Sequence, residues 1–380
     1  MTDTENINMF RHTLSKFVRD ELKPFTDEWE KNGELPRDVF KKVGQQGFFG
    51  LRIDEKYGGM GLDFFYTVVL CEELVRCGSV GTAVSLMAHC EFAMSSLNEE
   101  GNEKQKEKYL QDAVKGEKIW GLAITEPGFG SDVANISTRA KKKDEKYIIN
   151  GAKTFITNGT IADFLVLAVR TGKKEDGARG LSLLIFPTDT KGFEKRRIKK
   201  IGAHASDTAE LFFSDCEIPV ENLLGEEGKG FYYIMKHFQG ERLVLSSFGN
   251  GVMKILIEEA LKYGVERKVF DKKLLEHQIW RHRISDLITL ASASRELTYA
   301  ACKKFVETGM ASKEIAIAKL FMAYAVKRVA DEVSQMFGGY GYMDEYLVAR
   351  LRRDTLGFGV GAGTDEVMRE IIFKETLKDL

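Results

Sequence analysis

Phe238-Gln239-Gly240-Glu241-Arg242-Leu243-Val244-Leu245 lies within a longer run, Phe231 to Leu261, whose apolar residues recur at helical spacing. Phe231, Ile234, Met235, Phe238, Leu245, Phe248, Val252, Ile255 and Leu256 share one stripe of a long amphipathic helix. Glu241 falls inside that stripe, three residues after Phe238 and four before Leu245. A carboxylate there costs free energy unless it is paired, or kept protonated until it is used. Glu241 is therefore a candidate base with a raised pKa. A structural ion pair with an Arg or Lys elsewhere suits the same position, and position alone leaves both readings open.

The chain changes character on either side of this helix. Upstream, from Ile119, short β-type runs appear: Tyr147-Ile148-Ile149, Thr154-Phe155-Ile156, Phe164 to Val169, Leu181 to Phe186, and Glu210 to Phe213. Asn150-Gly151, Asn158-Gly159 and Gly180 punctuate them, as turn residues do. Lys141-Lys142-Lys143 and Lys173 to Asp176 read as hairpin tips. Residues 6 to about 118 read as helical, with helices over Phe64 to Cys77 and Ser79 to Glu100 and a solvated helical face over Glu103 to Tyr109. After Gly230 the helical period persists, and long helices with few breaks predict an antiparallel bundle. The expected order is a helical domain (1–118), a β domain (119–228) and a helical bundle (229–380).

The 56 basic and 57 acidic side chains nearly cancel, which argues against a nucleic-acid surface. The 5 cysteines are scattered without metal-ligand spacing, so a reducing compartment is expected and a zinc site is not. No apolar run reaches the roughly 18 residues of a membrane span. The acidic N-terminus resembles neither a secretion signal nor an organelle presequence. These features together predict a cytoplasmic protein.

Three further stretches carry candidate chemistry. Leu122 to Asp132 joins an apolar strand to a turn in which Gly128 and Gly130 allow close backbone approach, and Thr125 and Ser131 add hydroxyls. It lacks the G-x-G-x-x-G pattern and βαβ setting of a nicotinamide site. Phe155 and Thr157, two apart on a strand, would share one face and could stack on and donate to a ring; core packing of Phe155 is the alternative. Gly357, Gly359, Gly361 and Gly363 alternate through a loop before Thr364, an expected N-cap with Asp365 and Glu366 in the first turn. Gln335 to Tyr342 interrupts a long helix with glycines.

Together these residues resemble the acyl-CoA dehydrogenase family over nearly the whole chain. Thr125 to Asp132 resembles its T-E-P-G-x-G-S-D signature, and Lys153 to Gly159 its K-x-(W/F)-I-T-N-G strand. Pro219 to Phe231, Glu266 to Phe270, Gln335 to Tyr342 and the Arg353-Asp354 pair resemble four more motifs in family order. The resemblance implies a multidomain α+β fold: an N-terminal helical domain, a central β-barrel or sandwich domain and a C-terminal four-helix bundle. It implies one FAD per chain, with Leu122, Ala123, Thr125, Gly130, Ser131, Phe155 and Thr157 lining the flavin. Arg267, Phe270, Gln278, Gln335, Gly338 and Gly339 would hold the adenine and pyrophosphate across a subunit boundary of a homotetramer. Thr364 and Glu366 would make the last flavin contacts, and Ser131, Arg242, Ala362 and Gly363 would face the acyl-CoA.

One departure is informative. Many family members carry the catalytic glutamate where this chain has Ala362, which cannot take a proton. A smaller group, resembling the isovaleryl- and long-chain-type enzymes, places it in an E-R-L motif similar to Glu241-Arg242-Leu243. The resemblance thus implies α,β-desaturation of an acyl-CoA with Glu241 as base, and an electron-transferring flavoprotein as acceptor. His89 and Glu91 lie on a helix that, in the family, lines the far end of the acyl pocket. They could bind a polar, cyclic or branched acyl group, Glu91 could act as a second base, or both could face solvent or a neighbouring helix. Gly249 and Gly251 could make room for branching or only allow close helix packing. A flavin oxidase or monooxygenase on the same scaffold is the competing function, and an inert acyl-CoA-binding protein a more distant one.

Overall fold

The computed structural model describes residues 4–378. Residues 1–3, part of the N-terminal stretch read above for a targeting signal, and residues 379–380 lie outside the described residues. The chain opens with α1 (Thr4–Phe17), α2 (Thr26–Asn32), α3 (Arg37–Gln45), α4 (Phe64–Leu74), α5 (Val80–Met87), α6 (Ser95–Glu100) and α7 (Glu103–Val114). Local chemistry sets several starts: Asp63 caps α4, Ser79 caps α5, and Asn102 with Gln105 forms a capping box on α7. The face expected to be solvated on α7 is only partly so, because Gln105 and Tyr109 turn inward. The run from Ser79 to Glu100 is not one regular helix either. Between α5 and α6 the backbone widens into a π-helical segment, Ala88–Met94, which carries His89 and Glu91.

The central domain contributes β1 (Trp120–Ala123), β2 (Arg139–Lys143), β3 (Lys146–Thr157), β4 (Phe164–Arg170), β5 (Leu181–Pro187), β6 (Phe193–Arg197), β7 (Thr208–Pro219) and β8 (Leu223–Leu224). They form one sheet in the order β6-β7-β3-β2-β4-β5-β8, with β1 added parallel to β4. Tyr147–Ile149 and Thr154–Ile156, expected as separate runs, belong to the single strand β3. Asn150-Gly151 marks a bulge against β7 rather than a turn. Gly151 takes φ +148°, and a Cβ there would meet Thr138 at 2.6 Å.

The C-terminal domain holds α8 (Gly230–Glu266), a short hairpin of β9 (Lys268–Val269) and β10 (Lys272–Lys273), α9 (Gln278–Thr308), α10 (Ser312–Phe337), α11 (Leu347–Thr355) and α12 (Asp365–Lys378). Helix α10 packs on α8, α9 and α12, and α8 also packs on α4. The one-sided stripe expected of α8 applies only near its ends: from Glu241 to Met253 almost every residue is buried. Gly249 and Gly251 allow this close packing. A Cβ would lie 2.1 Å from Met322 Sδ at the first, and 2.6 Å from Glu72 O at the second. The space that could have admitted a branched acyl group is filled by neighbouring helices. Gly251→Ala is expected to destabilise the protein by about 1–3 kcal/mol without altering acyl preference, read by denaturant unfolding and a substrate panel.

Candidate active site

Glu241 sits in the buried middle of α8 and is 7% exposed. Its Oε1 has no hydrogen-bond partner among the described residues. Burial raises its carboxyl to about 8, with the neighbouring Arg242 charge opposing that rise. Among the described residues, no Arg or Lys forms a salt bridge with it, and its Oε1 is unpartnered. The next residue turns elsewhere: Arg242 Nε donates to Ala362 O at 3.2 Å, and its guanidinium lies 5.7 Å from the Phe238 ring centroid.

That bond brings the glycine-rich loop against the turn of α8 that carries Glu241. A Cβ on Gly361 would lie 3.6 Å from Leu245, and one on Gly363 3.7 Å from Arg242. The loop backbone is left-handed at two successive residues, Ala362 (φ +51°) and Gly363 (φ +97°). Thr364 caps α12 by accepting from the Val367 N–H at 3.3 Å. Glu366 is exposed in the first turn. Lys319, buried on α10, donates to Gly363 O at 2.8 Å and pairs with Asp365 at 3.1 Å. Sequence reasoning passed over Lys319, although a lone lysine in the apolar stretch Ile315 to Ala323 poses the same question as Glu241.

A second group gathers at one end of the sheet. The Thr154 N–H donates to Thr125 O at 2.9 Å, tying the strand of Phe155 to the loop of Thr125. A register shift between Lys153 and Ile156 breaks the alternation on which a shared face for Phe155 and Thr157 was argued. Phe155 takes φ +60° and is 67% exposed, so it is no core residue, while Thr157 is half-buried. Leu122 is half-buried and Ala123 buried on β1; Gly130 and Ser131 are exposed. Beneath the loop, Lys153 Nζ donates to Ile124 O and to Glu126 Oε1, both at 2.8 Å. Glu126 also accepts from the Ser137 N–H and hydroxyl and from the Thr138 N–H. Burial alone would raise the Glu126 carboxyl, but the Lys153 charge and these bonds hold it at about 2. Neither member of this pair was assigned a role from sequence.

A third group surrounds a cavity of about 430 Å³ where α8 ends and α10 gives way to a glycine turn. Arg267, Gly338 and Gly339 line it with Tyr263 and Phe337, and no residue of the central sheet does. Phe270 projects nearby from the β9–β10 hairpin, Gln278 opens α9, and Gln335 lies near the end of α10, all exposed.

The two residues on the π-helical segment part company. His89 is wholly buried: its Nε2 bonds Ala113 O at 2.9 Å, and its Nδ1 accepts from the Trp120 N–H at 3.1 Å. Burial drops its pKa to about 4, so a neutral imidazole joins the helical domain to β1. Of the roles considered, it has a structural one and faces no solvent. Glu91 spends both oxygens, one on Arg52 (2.8 Å) and one on Thr67 (3.0 Å). Among the described residues, Glu99, Glu100 and His237 stand close enough to share a metal. Lys236 already bridges both carboxylates, at 2.8 and 3.2 Å, and Arg52 reaches Glu99, so their charge is neutralised without one.

Family models match the chain almost end to end: acyl-CoA dehydrogenase N-terminal domain over residues 4–117, middle domain over 121–216 and C-terminal domain over 228–377. Among relatives, the mitochondrial long-chain specific acyl-CoA dehydrogenase of Mus musculus is 36% identical over 98% of this chain and 86% of its own length. The mitochondrial isovaleryl-CoA dehydrogenase of Arabidopsis thaliana is 35% identical over 97% and 91%. Among solved structures, the acyl-CoA dehydrogenase of Geobacillus kaustophilus superposes with TM-score 0.94 at 40% identity, covering 99% of each chain. A chain from the structure titled for the electron transferring flavoprotein of Acidaminococcus fermentans superposes with TM-score 0.95 at 34% identity, again over 99% of each.

A helical domain, a central sheet and a helical bundle, in that order, make up the acyl-CoA dehydrogenase fold. This chain belongs to the acyl-CoA dehydrogenase family. It is an oxidoreductase that desaturates acyl-CoA thioesters and depends on FAD. Its residues fit that cofactor. Exposed Phe155 offers a ring face beside the Thr125 loop, where a Cβ on Gly128 would meet nothing within 4 Å. Arg267 brings a cation to the glycine-lined cavity, as a pyrophosphate requires. No helix among the described residues is long and apolar enough to cross a membrane.

Proposed function

We propose that Glu241 is the base that removes the α-proton of the acyl-CoA thioester. The observation that carries this is a buried carboxyl whose Oε1 lacks a partner, one residue from the arginine that grips the Ala362 loop. A carbon acid needs a base near neutrality and a donor for the charge that develops on the thioester oxygen. Burial supplies the first. The Ala362 main-chain N–H supplies the second, since among the described residues it donates to no acceptor. A backbone donor is indifferent to the side chain, so alanine at 362 serves as well as glutamate there. Bound FAD would supply a two-electron acceptor for the β-hydride, and the product would be a 2-enoyl-CoA. Thr125, Phe155 and Thr157, with Leu122, Ala123, Gly130 and Ser131, would line the flavin; Thr364 and Glu366 would complete it, and Ser131 and Gly363 would face the acyl-CoA. Glu91 is a poor second base, because Arg52 and Thr67 occupy both its oxygens.

Two features favour a homo-oligomer, and the family resemblance supports a tetramer. The chain exposes 17945 Å², against about 15,000 Å² for a compact monomer of this mass. Phe270 is 89% exposed beside a cavity that the chain's own sheet does not reach. Arg267, Phe270, Gln278, Gln335, Gly338 and Gly339 would then hold the cofactor of a second subunit. Five free, buried cysteines agree with a cytoplasmic setting, and an electron-transferring flavoprotein is the acceptor we infer.

Anaerobic titration with straight, branched, cyclic and dicarboxylic CoA thioesters tests the reading: at least one should bleach the flavin. The rate of bleaching at limiting thioester should climb with pH and level off above about 8, where the Glu241 carboxyl is ionised. A rate independent of pH between 6 and 9 would contradict it.

A further inference from the structure

The loop from Gly361 to Thr364 is held in a conformation its sequence does not favour. A left-handed backbone is unfavourable for a non-glycine residue such as Ala362, which takes φ +51°. Something must fix it, and the structure shows three anchors around one peptide. On the upstream side, the Gly361 N–H donates to Gly357 O at 2.9 Å. Downstream, two cationic side chains from different helices take consecutive carbonyls: Arg242 holds Ala362 O, and Lys319 holds Gly363 O at 2.8 Å. Between these anchors lies the Gly361–Ala362 peptide, whose N–H finds no acceptor among the described residues.

Lys319 has little reason to be there for stability alone. It is wholly buried on α10, between Ala318 and Leu320, with Ala316, Met322 and Ala323 buried nearby in sequence. Taking an ammonium out of water costs several kcal/mol per ion, and a methionine of similar shape would fill the space. Among the described residues it pairs with one carboxylate, Asp365, which also lies 3.7 Å from Lys327. Its shortest hydrogen bond, 2.8 Å, is to the backbone of the loop.

We propose that Lys319 is a positioning residue for the dehydrogenation: by holding the Gly363 carbonyl it fixes the orientation of the Ala362 N–H toward the thioester oxygen. This rests on the reading above that the Ala362 N–H serves that oxygen. Lys319 spends its ammonium on Gly363 O and Asp365, so it acts through the loop, and its charge adds a favourable field behind the donor.

The test uses the holoenzyme and Lys319→Met. Misplacing a donor by about 1 Å costs on the order of 100-fold in rate, so kcat should fall by about that factor while KM stays within about threefold. A bound 3-ketoacyl-CoA, whose acidic α-position ionises without turnover, should show its enolate absorbance shifted to higher pH. Amide exchange at Gly361 and Val367, whose N–H groups donate to Gly357 O and Thr364 Oγ1 on either side of the anchored carbonyls, should speed up by about tenfold or more as the anchor is lost. If Lys319→Met gives no folded holoprotein, Lys319→Gln takes its place with the same three readings. Unchanged ligand ionisation and unchanged loop exchange, with Glu241→Gln inactive, would overturn the role of Lys319 alone. Full activity of Glu241→Gln would overturn the functional reading instead, and loop exchange would still report whether Lys319 holds the loop.

Discussion

Glu241→Gln should turn over roughly 10²–10⁴-fold more slowly than the wild type while still binding FAD and acyl-CoA. The substitution keeps shape and removes only the capacity to accept a proton. It should also leave a thermodynamic trace. The native protein holds the Glu241 proton more tightly than the unfolded chain does, because burial lifts the carboxyl from 4.5 to about 8. The stabilisation that comes from keeping it protonated is therefore complete below about pH 4.5 and is lost as pH rises through about 8. Glutamine has no such dependence. The variant should melt at a temperature close to the wild type at pH 5 and above it at pH 9. Normal turnover, or a melting difference that does not change with pH, would count against a buried base at this position.

Lys153→Met should cost about 3–5 kcal/mol of stability, because it leaves the buried Glu126 without its counter-charge. The loss should extend to flavin retention, since the same ammonium holds Ile124 O just before Thr125. Replacing both partners, as Lys153→Met with Glu126→Gln, should recover much of the stability, because no unpaired charge remains. The wild-type pair also sets an acid limit. Glu126, depressed from 4.5 to about 2, contributes stability that is present above pH 4.5 and disappears as pH falls toward 2. Denaturant unfolding of the single and double variants, with flavin content measured alongside, checks this. A loss below about 1 kcal/mol in the single variant would show that the pair matters little.

The helix–sheet–helix order was legible because the apolar period switches near Ile119 and again near Gly230, and periodicity survives whatever the chain packs against. Details within elements were less so. The π-helical widening at Ala88–Met94 has no local marker. Asn150-Gly151 carries turn chemistry, yet long-range pairing with β7 turns it into a bulge. The burial of α8 on nearly every side depends on which helices come to cover it, which no single helix reveals. Around the site, Glu241 stood out because a charge in an apolar helix is a local anomaly. Lys319 is the same anomaly, and only its contact with the loop 44 residues away shows its use. His89 and Glu91 show the opposite limit: polar residues that looked functional are satisfied by Ala113, Trp120, Arg52 and Thr67, partners distant in sequence.

Exchange of the α-hydrogens of a bound CoA thioester with solvent deuterium, followed by mass spectrometry, isolates proton removal from every later step. With a thioester that binds but cannot lose its β-hydrogen, the wild-type holoenzyme should wash deuterium into the α-carbon, and Glu241→Gln should not. Exchange that continues in Glu241→Gln but stops in Glu91→Gln would move the base to the other carboxylate and contradict the account.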